Sequence, residues 1–331
     1  MIDLLVIGGG PAGAAAAITA RQAGMTATIL EETPFPRFRP GETLHPGLEP
    51  LLERLGAAAV VAKGGYLRHA GTFVEWGARC GFVPFGEDAG GPWLGFQAPR
   101  GDFDQRLIGV ARESGAEILA ERAIGISLGA NQVETATGPL KARCVVDASG
   151  TRHWLARQLG VPIRRASPRL VARYGYAEGS APPDVMLPCM RATEHGWLWS
   201  ADLGKGTYQW TNVTEPTHRP PKTWAPPGWE GMRLEESHGA DVTWRIAAQT
   251  AGEGWFLCGD AGCVLDPSSA HGVLRAVMSG MMAGHLAAAV WSGKMGASDA
   301  AAGYREWFAE WFRHDAEHLS QAYREAGLFG F

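Results

Sequence analysis

Near the start of the chain, residues 2–13 read Ile-Asp-Leu-Leu-Val-Ile-Gly-Gly-Gly-Pro-Ala-Gly, an apolar run followed by a Gly-x-Gly-x-x-Gly string. The run predicts a β-strand, and the Ala-rich stretch 14–23 after it predicts a helix. Residues 26–30 predict a second strand. This order of strand, glycine turn, helix and strand is typical of a Rossmann-like dinucleotide-binding unit.

Each glycine of the string has a physical role in such a unit. Gly8 permits the tight turn, Gly10 lets the backbone approach a pyrophosphate, and Gly13 lets helix and strand pack closely. The N-terminal end of the helix carries partial positive charge, which favours phosphates. Two acidic residues, Glu31 and Glu32, follow the second strand. We expect Glu31 to accept hydrogen bonds from a ribose hydroxyl group.

The composition excludes several other classes of protein. The 331 residues are 46% hydrophobic and only 19% charged, which does not fit a disordered or coiled-coil protein. A net charge of −4 predicts no nucleic-acid-binding surface. We find no export signal and no uninterrupted apolar run long enough for a membrane span, and the five cysteines form no Cys-x-x-Cys pair. We therefore expect a cytoplasmic protein without a metal site and without a membrane partner.

Three later stretches identify the dinucleotide. They are Ala-Pro-Arg-Gly-Asp-Phe-Asp-Gln-Arg-Leu at 98–107, Cys-Val-Val-Asp-Ala-Ser-Gly at 144–150, and Gly-Trp-Phe-Leu-Cys-Gly-Asp-Ala at 254–261. Together with the glycine string they resemble the flavin-binding motifs of the FAD-dependent monooxygenases related to aromatic hydroxylases and flavin-dependent halogenases. The resemblance runs through nearly the whole chain and implies FAD as the cofactor.

The same resemblance implies which residues contact FAD. Asp260 would hold the ribityl chain, and Arg100 would lie along the cofactor. The Asp-Pro turn at 266–267 and the helix after it would bring backbone N–H groups to the pyrimidine edge of the flavin, where they would stabilise its reduced, anionic form. The full set of expected cofactor residues is Gly8, Gly10, Ala12, Gly13, Glu31, Glu32, Arg39, Pro40, Gly41, Arg100, Asp147, Gly150, Gly259, Asp260, Pro267, His271, Gly272 and Val273.

The segment Pro-Arg-Phe-Arg-Pro-Gly-Glu-Thr-Leu at 36–44 resembles the Pro-Arg-x-x-x-Gly-Glu segment of flavin-dependent halogenases, geranylgeranyl reductases and their relatives. In those proteins the loop passes close to the flavin ring. Glu42 is therefore a candidate catalytic residue beside the ring. The alternative is that Glu42 only forms a salt bridge with Arg37 or Arg39.

Two features associated with halogenases are altered in this sequence. The lysine that halogenases need would precede the stretch Gly-Thr-Phe-Val-Glu-Trp-Gly at 71–77, and that position is His69. An imidazole does not replace a lysine amine. The halogenase Trp-x-Trp-x-Ile-Pro string is represented by Trp-Leu-Trp-Ser-Ala-Asp at 197–202. Halogenation is therefore the alternative to the main hypothesis.

The helix entry Asp-Pro-Ser-Ser-Ala-His-Gly at 266–272 and the string around Trp197 most resemble the flavoprotein maturases that oxygenate a peptidyl tryptophan during tryptophylquinone formation. That resemblance implies an indole-containing substrate, either a small aromatic molecule or a tryptophan in a peptide or protein. Reduced flavin would add O₂ at C4a to give a hydroperoxide, which an electron-rich ring attacks. External NAD(P)H or a separate flavin reductase would supply the electrons.

A base must then remove the ring proton, and His69 and His271 are the candidates because imidazole titrates near neutral pH. The expected substrate pocket contains Trp76, Trp197 and Trp199, although each of these tryptophans and histidines could instead be purely structural. Two further alternatives are a prenyl-type flavin reductase and a flavin-loaded protein that binds a partner without catalysis.

The sequence predicts an α/β fold in which a Rossmann-like FAD-binding domain of the glutathione-reductase type carries an inserted, mostly antiparallel β-sheet. The expected FAD-binding parts are 1–64, 98–165 and 250–295. The expected substrate-binding parts are 65–97 and 166–249. The remaining residues, 296–331, are expected to form a helical tail. Its aromatic residues, from Tyr304 to Phe312, recur at helical spacing and predict a face that packs on the body or binds a partner.

Overall fold

A computed structural model describes residues 1–180 and 188–331 of the chain. Seven α-helices occur in this part: α1 Pro11–Gln22, α2 Glu49–Arg54, α3 Ala58–Ala62, α4 Arg100–Glu113, α5 Trp154–Gln158, α6 Gly272–Trp291 and α7 Ala297–Glu325.

The strands of the first half are β1 Ile2–Ile7, β2 Ala27–Leu30, β3 Thr43–Leu44, β4 Leu67–His69, β5 Gly71–Trp76, β6 Arg79–Pro84, β7 Glu87–Asp88, β8 Gly91–Pro92, β9 Gly95–Gln97, β10 Glu117–Leu119, β11 Ala123–Ser127, β12 Gln132–Thr135 and β13 Gly138–Asp147. Those of the second half are β14 Ile163–Arg165, β15 Val171–Glu178, β16 Cys189–Thr193, β17 Gly196–Gly204, β18 Thr207–Thr214, β19 Arg233–Leu234, β20 His238–Asp241, β21 Arg245–Ala247, β22 Ala251–Gly252, β23 Trp255–Leu257 and β24 Cys263–Val264.

The strand that precedes the glycine turn lies inside a parallel sheet. β1 pairs in parallel with β2 on one side and with β13 on the other, β10 extends the sheet beyond β2, and β23 pairs in parallel with β13. β11 and β12 continue it in antiparallel fashion. The middle strands are buried on both faces and therefore read as continuous apolar runs in the sequence. The predicted Rossmann-like α/β fold is confirmed.

Helices α1 and α6 cross in close contact because α6 carries glycines at the crossing. A Cβ on Gly280 would lie 2.1 Å from the carbonyl oxygen of Ala12, and one on Gly284 would lie 2.8 Å from Cβ of Thr19. α6 is long and apolar enough to span a membrane by length and composition alone. Its contact with α1 is that of a core helix, and it fixes the start of α6 beside the glycine turn.

The second large sheet has the order β19-β15-β18-β17-β16-β5-β6, with β20 also paired to β15. All of its pairs are antiparallel except β16 with β5. It is the mostly antiparallel sheet that the sequence predicts. The expected bounds of the FAD-binding and substrate-binding parts stay predictions. Residues 181–187, in the expected substrate-binding part, lie outside the described residues.

A small sheet joins the two large ones. β9 pairs with both β3 and β4, so that Leu44 lies opposite Phe96 and His69 lies opposite Gly95. A Cβ on residue 95 would lie 2.8 Å from Cε1 of His69 and 2.8 Å from the carbonyl oxygen of Leu44, so glycine is required for this close approach. The small sheet thereby places the segment after Leu44 near His69.

The terminal helix α7 packs its aromatic face against the body, as one of the two sequence-based alternatives predicts. Tyr304, Phe308 and Phe312 are buried. Near its end, Tyr323 is fully buried and its hydroxyl donates to the Asp266 carboxylate at 2.6 Å, while the Trp197 indole N–H donates to the Tyr323 oxygen at 2.9 Å.

The Asp266 carboxylate therefore connects three parts of the chain. It also accepts hydrogen bonds from the indole N–H of Trp244 at 2.6 Å and from the backbone N–H and hydroxyl of Ser268. A buried carboxylate with four donors is well satisfied, and removal of one donor leaves part of it unpaired.

We predict that Tyr323→Phe lowers the free energy of unfolding by about 1–3 kcal/mol, because it removes one of the four donors to Asp266 and leaves the buried Trp197 N–H without its acceptor. Urea unfolding measures this change. Tyr66→Phe is the matched control, because its partner Asp102 keeps an ion pair with Arg106 and is partly exposed. Equal losses in the two variants would contradict the prediction.

Candidate functional site

The turn between β1 and α1 can be built only with glycine. Gly8 has φ of +101°, and a Cβ there would lie 2.5 Å from the carbonyl oxygen of Ala148. A Cβ on Gly13 would lie 1.9 Å from the carbonyl oxygen of Gly8. The N-cap, Gly10, provides no side chain to cap α1. The N–H groups of the first turn of α1 therefore have no side-chain cap. Together with the positive end of the helix, they suit the binding of a pyrophosphate.

The two acidic residues after β2 have different partners. The Glu31 carboxylate accepts hydrogen bonds from the Gly9 N–H at 2.8 Å and from the Arg37 guanidinium at 2.7 Å, and it is buried. Glu31 is thus held beside the glycine turn, where a ribose is expected. Glu32 instead pairs with the partly exposed guanidinium of Arg152.

Asp260 follows β23 and lies opposite the glycine turn, since a Cβ on its neighbour Gly259 would lie 3.4 Å from Cβ of Ala12. The Gly259 N–H donates to the Ser279 hydroxyl at 2.8 Å, which fixes this turn to α6. The Asp260 residue is exposed, and no hydrogen bond or ion pair of its carboxylate is found in the described part of the chain. An available carboxylate across from a phosphate-binding turn fits the ribityl chain of FAD.

Several other expected cofactor residues shape the surroundings. Asp147 is fully buried, and its two oxygens accept the backbone N–H groups of Ser149 and Leu155, so it orders the turn that contains Gly150. Pro267 lies in a short 3-10 turn, His271 is the N-cap of α6, and Gly272 and Val273 are its first two residues. The resemblance implies that the flavin ring lies at this beginning of α6, and that placement stays a prediction.

The loop 39–42 is fixed by Arg100. The guanidinium makes two hydrogen bonds to the Asp104 carboxylate, at 2.9 and 3.0 Å, and a third to the carbonyl oxygen of Pro40 at 3.1 Å. Arg100 thus holds Pro40 in place, and contact of Pro40, Gly41 and Arg100 with the cofactor stays a prediction. Arg39 is exposed, and its role at the cofactor remains a prediction.

Glu42 does not form the salt bridge with Arg37 or Arg39 that was the alternative to a site role, so that alternative is wrong. Its carboxylate accepts hydrogen bonds from the Tyr176 hydroxyl and from the Gly41 N–H at 2.9 Å, whereas Arg37 pairs with Glu31. Burial raises the pKa of Glu42 despite these hydrogen bonds. A buried carboxyl group is thus placed where the loop meets the second sheet.

Three histidines converge next to the start of α6. The rings of His45 and His271 are 4.9 Å apart, centre to centre, in an edge-to-face arrangement. His45 and His69 each lie 5.3 Å from the ring of Phe85. The structure therefore brings His69 and His271, which the sequence predicts as catalytic, to one cluster. It adds His45 and Phe85, which sequence reasoning missed.

The hydrogen bonds of the cluster assign the tautomers of two rings. Nδ1 of His69 lies 3.2 Å from the carbonyl oxygen of Gly71 and must donate to it, which leaves Nε2 as an acceptor. This Nε2 is buried and has no hydrogen-bond partner in the described part of the chain. Burial lowers the pKa of His69, which favours the neutral ring. His69 is thus a neutral base with a free lone pair.

The neutral His45 ring is the other tautomer from that of His69. Its Nδ1 accepts the Gly47 N–H at 3.0 Å, so the proton of the neutral ring is on Nε2. Burial, together with the nearby rings of His271 and His69, lowers the pKa of His45 to about 4. The sequence signal was weak: His45 caps a short 3-10 turn that begins at Pro46, but histidine is not a preferred N-cap residue.

His271 also faces the terminal helix. Its Nδ1 lies 3.9 Å from the carboxylate of Asp315 on α7, and the guanidinium of Arg275 lies 3.6 Å from the same oxygen. Burial would raise the pKa of Asp315, but its interactions with His271 and Arg275 outweigh burial and lower it. Asp315 on α7 thus lies close to the start of α6.

The expected substrate-pocket tryptophans have structural partners. Trp76 donates from its indole N–H to the carbonyl oxygen of Ala322 at 2.7 Å, and Trp197 is 1% exposed and bonded to Tyr323. Trp199 is half-buried. Trp76 and Trp197 therefore anchor α7, and a role of the three in a substrate pocket stays a prediction.

We predict that His45 makes the folded protein less stable in acid. The folded pKa of about 4 lies below the ordinary value of 6.5, so the unfolded chain takes up a proton that the folded chain does not as the pH falls from about 6.5 to about 4. His45→Asn keeps an acceptor for the Gly47 N–H and should lose less stability across this interval than the parent protein. Urea unfolding at stepped pH measures the difference.

The control for this measurement is His314→Asn on the exposed face of α7. It should lose stability with falling pH as the parent protein does. Parallel pH profiles for the parent and His45→Asn would contradict the prediction.

Comparisons with known proteins bear on the fold and on the cofactor. The family model for FAD dependent oxidoreductase matches residues 3–36. A tryptophan 2-halogenase of Chondromyces crocatus is 27% identical over 85% of this chain and 60% of its own length. A menaquinone reductase of Mycobacterium tuberculosis is 26% identical over 86% of this chain and 76% of its own. The chain thus spans less than two thirds of the length of that tryptophan 2-halogenase.

Solved structures show the same fold. The chondrochloren halogenase CndH superposes with a TM-score of 0.86 at 21% identity, covering 97% of this chain and 82% of its own. The peptidyl tryptophan dihydroxylase QhpG, described as essential for tryptophylquinone cofactor biogenesis, superposes with a TM-score of 0.77 at 20% identity, covering 98% and 75%. The chain therefore has the fold of these flavin-dependent enzymes, and its match to the FAD dependent oxidoreductase model at the glycine turn supports FAD as the cofactor.

Proposed function

We propose that this protein is an FAD-dependent monooxygenase that hydroxylates an aromatic ring, with the indole of tryptophan, free or within a peptide, as the expected substrate. The observation that carries the proposal is His69. At the position where related halogenases need a lysine, this chain has a neutral imidazole with an unpaired, buried Nε2. Such a group can accept a proton from a substrate but is not an amine.

Bound FAD in its reduced form would supply two electrons and activate O₂, so that one oxygen atom enters the substrate ring and the other leaves as water with protons from the solvent and the ring. The ring proton lost on rearomatisation passes to Nε2 of His69. The hydrogen bond from Nδ1 to Gly71 holds the imidazole in orientation during this transfer, and the buried setting keeps water from competing for the base.

Halogenation is the second candidate, since the tryptophan 2-halogenase is among the relatives. The sequence departs from the halogenase pattern at His69 and at residues 197–202. The structure gives Trp197 a role in anchoring Tyr323. For both candidates the electrons would come from external NAD(P)H or a flavin reductase.

The deciding experiment supplies the FAD-loaded protein with reduced flavin, isotopically heavy O₂ and bromide, with N-acetyl-tryptophanamide and tryptophan-containing peptides as substrates. We expect product mass to increase by one heavy oxygen atom and no bromine to be incorporated. A brominated product would overturn the proposal in favour of the halogenase.

His69→Gln retains a polar side chain at this position but cannot hold the proton. We expect it to bind FAD normally and to lower the rate of product formation by about a hundredfold or more. Retained FAD absorbance, together with unchanged unfolding in urea, is the control for correct folding. A rate equal to that of the parent protein would show that His69 is not the base.

A further inference from the structure

The terminal helix α7 faces the start of α6 with one buried carboxylate. Oδ2 of Asp315 lies 3.9 Å from Nδ1 of His271 and 3.6 Å from Nη1 of Arg275. Asp315 and Arg275 are each 9% exposed. His271 and Arg275 are one helical turn apart, since the Arg275 N–H donates to the His271 carbonyl oxygen. Asp315 therefore lies beside the first turn of α6.

The three polar groups attract one another but are not in direct contact. Both separations exceed hydrogen-bond length, and none of the three atoms has a hydrogen-bond partner in the described part of the chain. Buried polar atoms without partners cost free energy. An approach of α7 toward α6 by about 1 Å would bring them within hydrogen-bond range. This contact between the two helices therefore favours tighter packing.

A second contact fixes α7 to the turn before α6. The Tyr323 hydroxyl donates to Asp266 at 2.6 Å, and Tyr323 lies eight residues beyond Asp315 on α7, which is about 12 Å along a helix. One turn before Asp315, the ring of Trp311 lies 6.4 Å from the ring of His271, centre to centre. The terminal helix thus contacts both the turn before α6 and the N-cap of α6, where the flavin ring is expected.

Arg275 extends this contact toward the expected ribityl site. It lines a narrow cleft between α6 and α7 together with Asp260, Trp307 and Trp311. Its positive charge attracts the carboxylates of both Asp315 and Asp260. Asp260 is the residue that the resemblance assigns to the ribityl chain. The position of α7 therefore bears on two expected contacts of FAD, at the start of α6 and at Asp260.

We propose that Asp315 is a positioning residue for FAD, and that through Arg275 and His271 it couples the packing of α7 on α6 to the binding of the cofactor. Coupling between two such equilibria is reciprocal. Asp315 therefore raises the affinity for FAD, and bound FAD holds α7 more firmly on the body. The inference concerns cofactor binding alone and applies to hydroxylation and halogenation alike.

The first test is titration of the FAD-free protein with FAD, monitored by flavin fluorescence. Asp315→Asn removes the charge and keeps the shape of the side chain. We expect its Kd for FAD to be about tenfold higher than that of the parent protein. Glu317→Gln, the same change of charge on the exposed face of α7, is the matched control and should bind FAD as the parent protein does.

Urea unfolding without FAD separates affinity from folding. A purely structural Asp315 would lower the stability of the Asp315→Asn variant and leave the FAD affinity of the folded protein unchanged. That result would overturn the proposal.

A second substitution tests the route through Arg275. In an Arg275→Gln background Asp315 has lost its cationic partner, so Asp315→Asn should raise the Kd for FAD by a smaller factor than it does in the parent protein. The same factor in both backgrounds would show that Asp315 does not act through Arg275 and would contradict the proposal.

The reciprocal effect is measured in the parent protein by amide hydrogen exchange with and without saturating FAD. We expect FAD to slow exchange in α7 over residues 311–325, and to leave the hairpin of β11 and β12 at the edge of the first sheet unchanged. The slowing in α7 should be smaller in Asp315→Asn. Unchanged exchange in α7 of the parent protein, or equal slowing in the two proteins, would overturn the proposal.

Discussion

The hydrogen bonds to the buried carboxylate of Asp266 are the constraint on which the rest of the molecule depends. Asp266 accepts from Trp244, from Tyr323 of the terminal helix, and twice from Ser268 in its own turn. Tyr323 in turn receives the indole N–H of Trp197 from the second sheet. One carboxylate thus fixes the turn before α6 relative to both the antiparallel sheet and α7. It thereby also positions the start of α6, where the flavin ring is expected.

That arrangement explains why the histidine cluster forms at this place. His271 is the N-cap of α6, and His69 lies in β4 of the small sheet. His45 lies in the turn that follows β3 of the same sheet. The backbone bonds of His45 and His69 and the depressed pKa values keep both rings neutral near pH 7. A neutral imidazole with a free lone pair suits removal of a ring proton better than it suits amine chemistry.

The sequence predicted the parts of the site that are local in the chain. The glycine turn, the Asp260 turn and the start of α6 depend on spacing within a few residues and occur in the structure, whereas their contacts with FAD stay predictions. Contacts between distant segments could not be predicted. The Tyr176 hydroxyl reaches Glu42 across 134 positions and Trp197 reaches Tyr323 across 126, and no local pattern encodes such pairs. For the same reason the sequence predicts neither the place of His45 in the histidine cluster nor the hydrogen bond of Trp197 to Tyr323.

The most direct test of the central claim is a crystal structure of the FAD-bound protein. We expect the isoalloxazine ring to lie against the first turn of α6, with its pyrimidine edge at the backbone of Gly272 and with His271 and His45 between it and His69. A flavin ring bound on another face, with Phe85 and the three histidines remote from it, would show that the histidine cluster is not the active site.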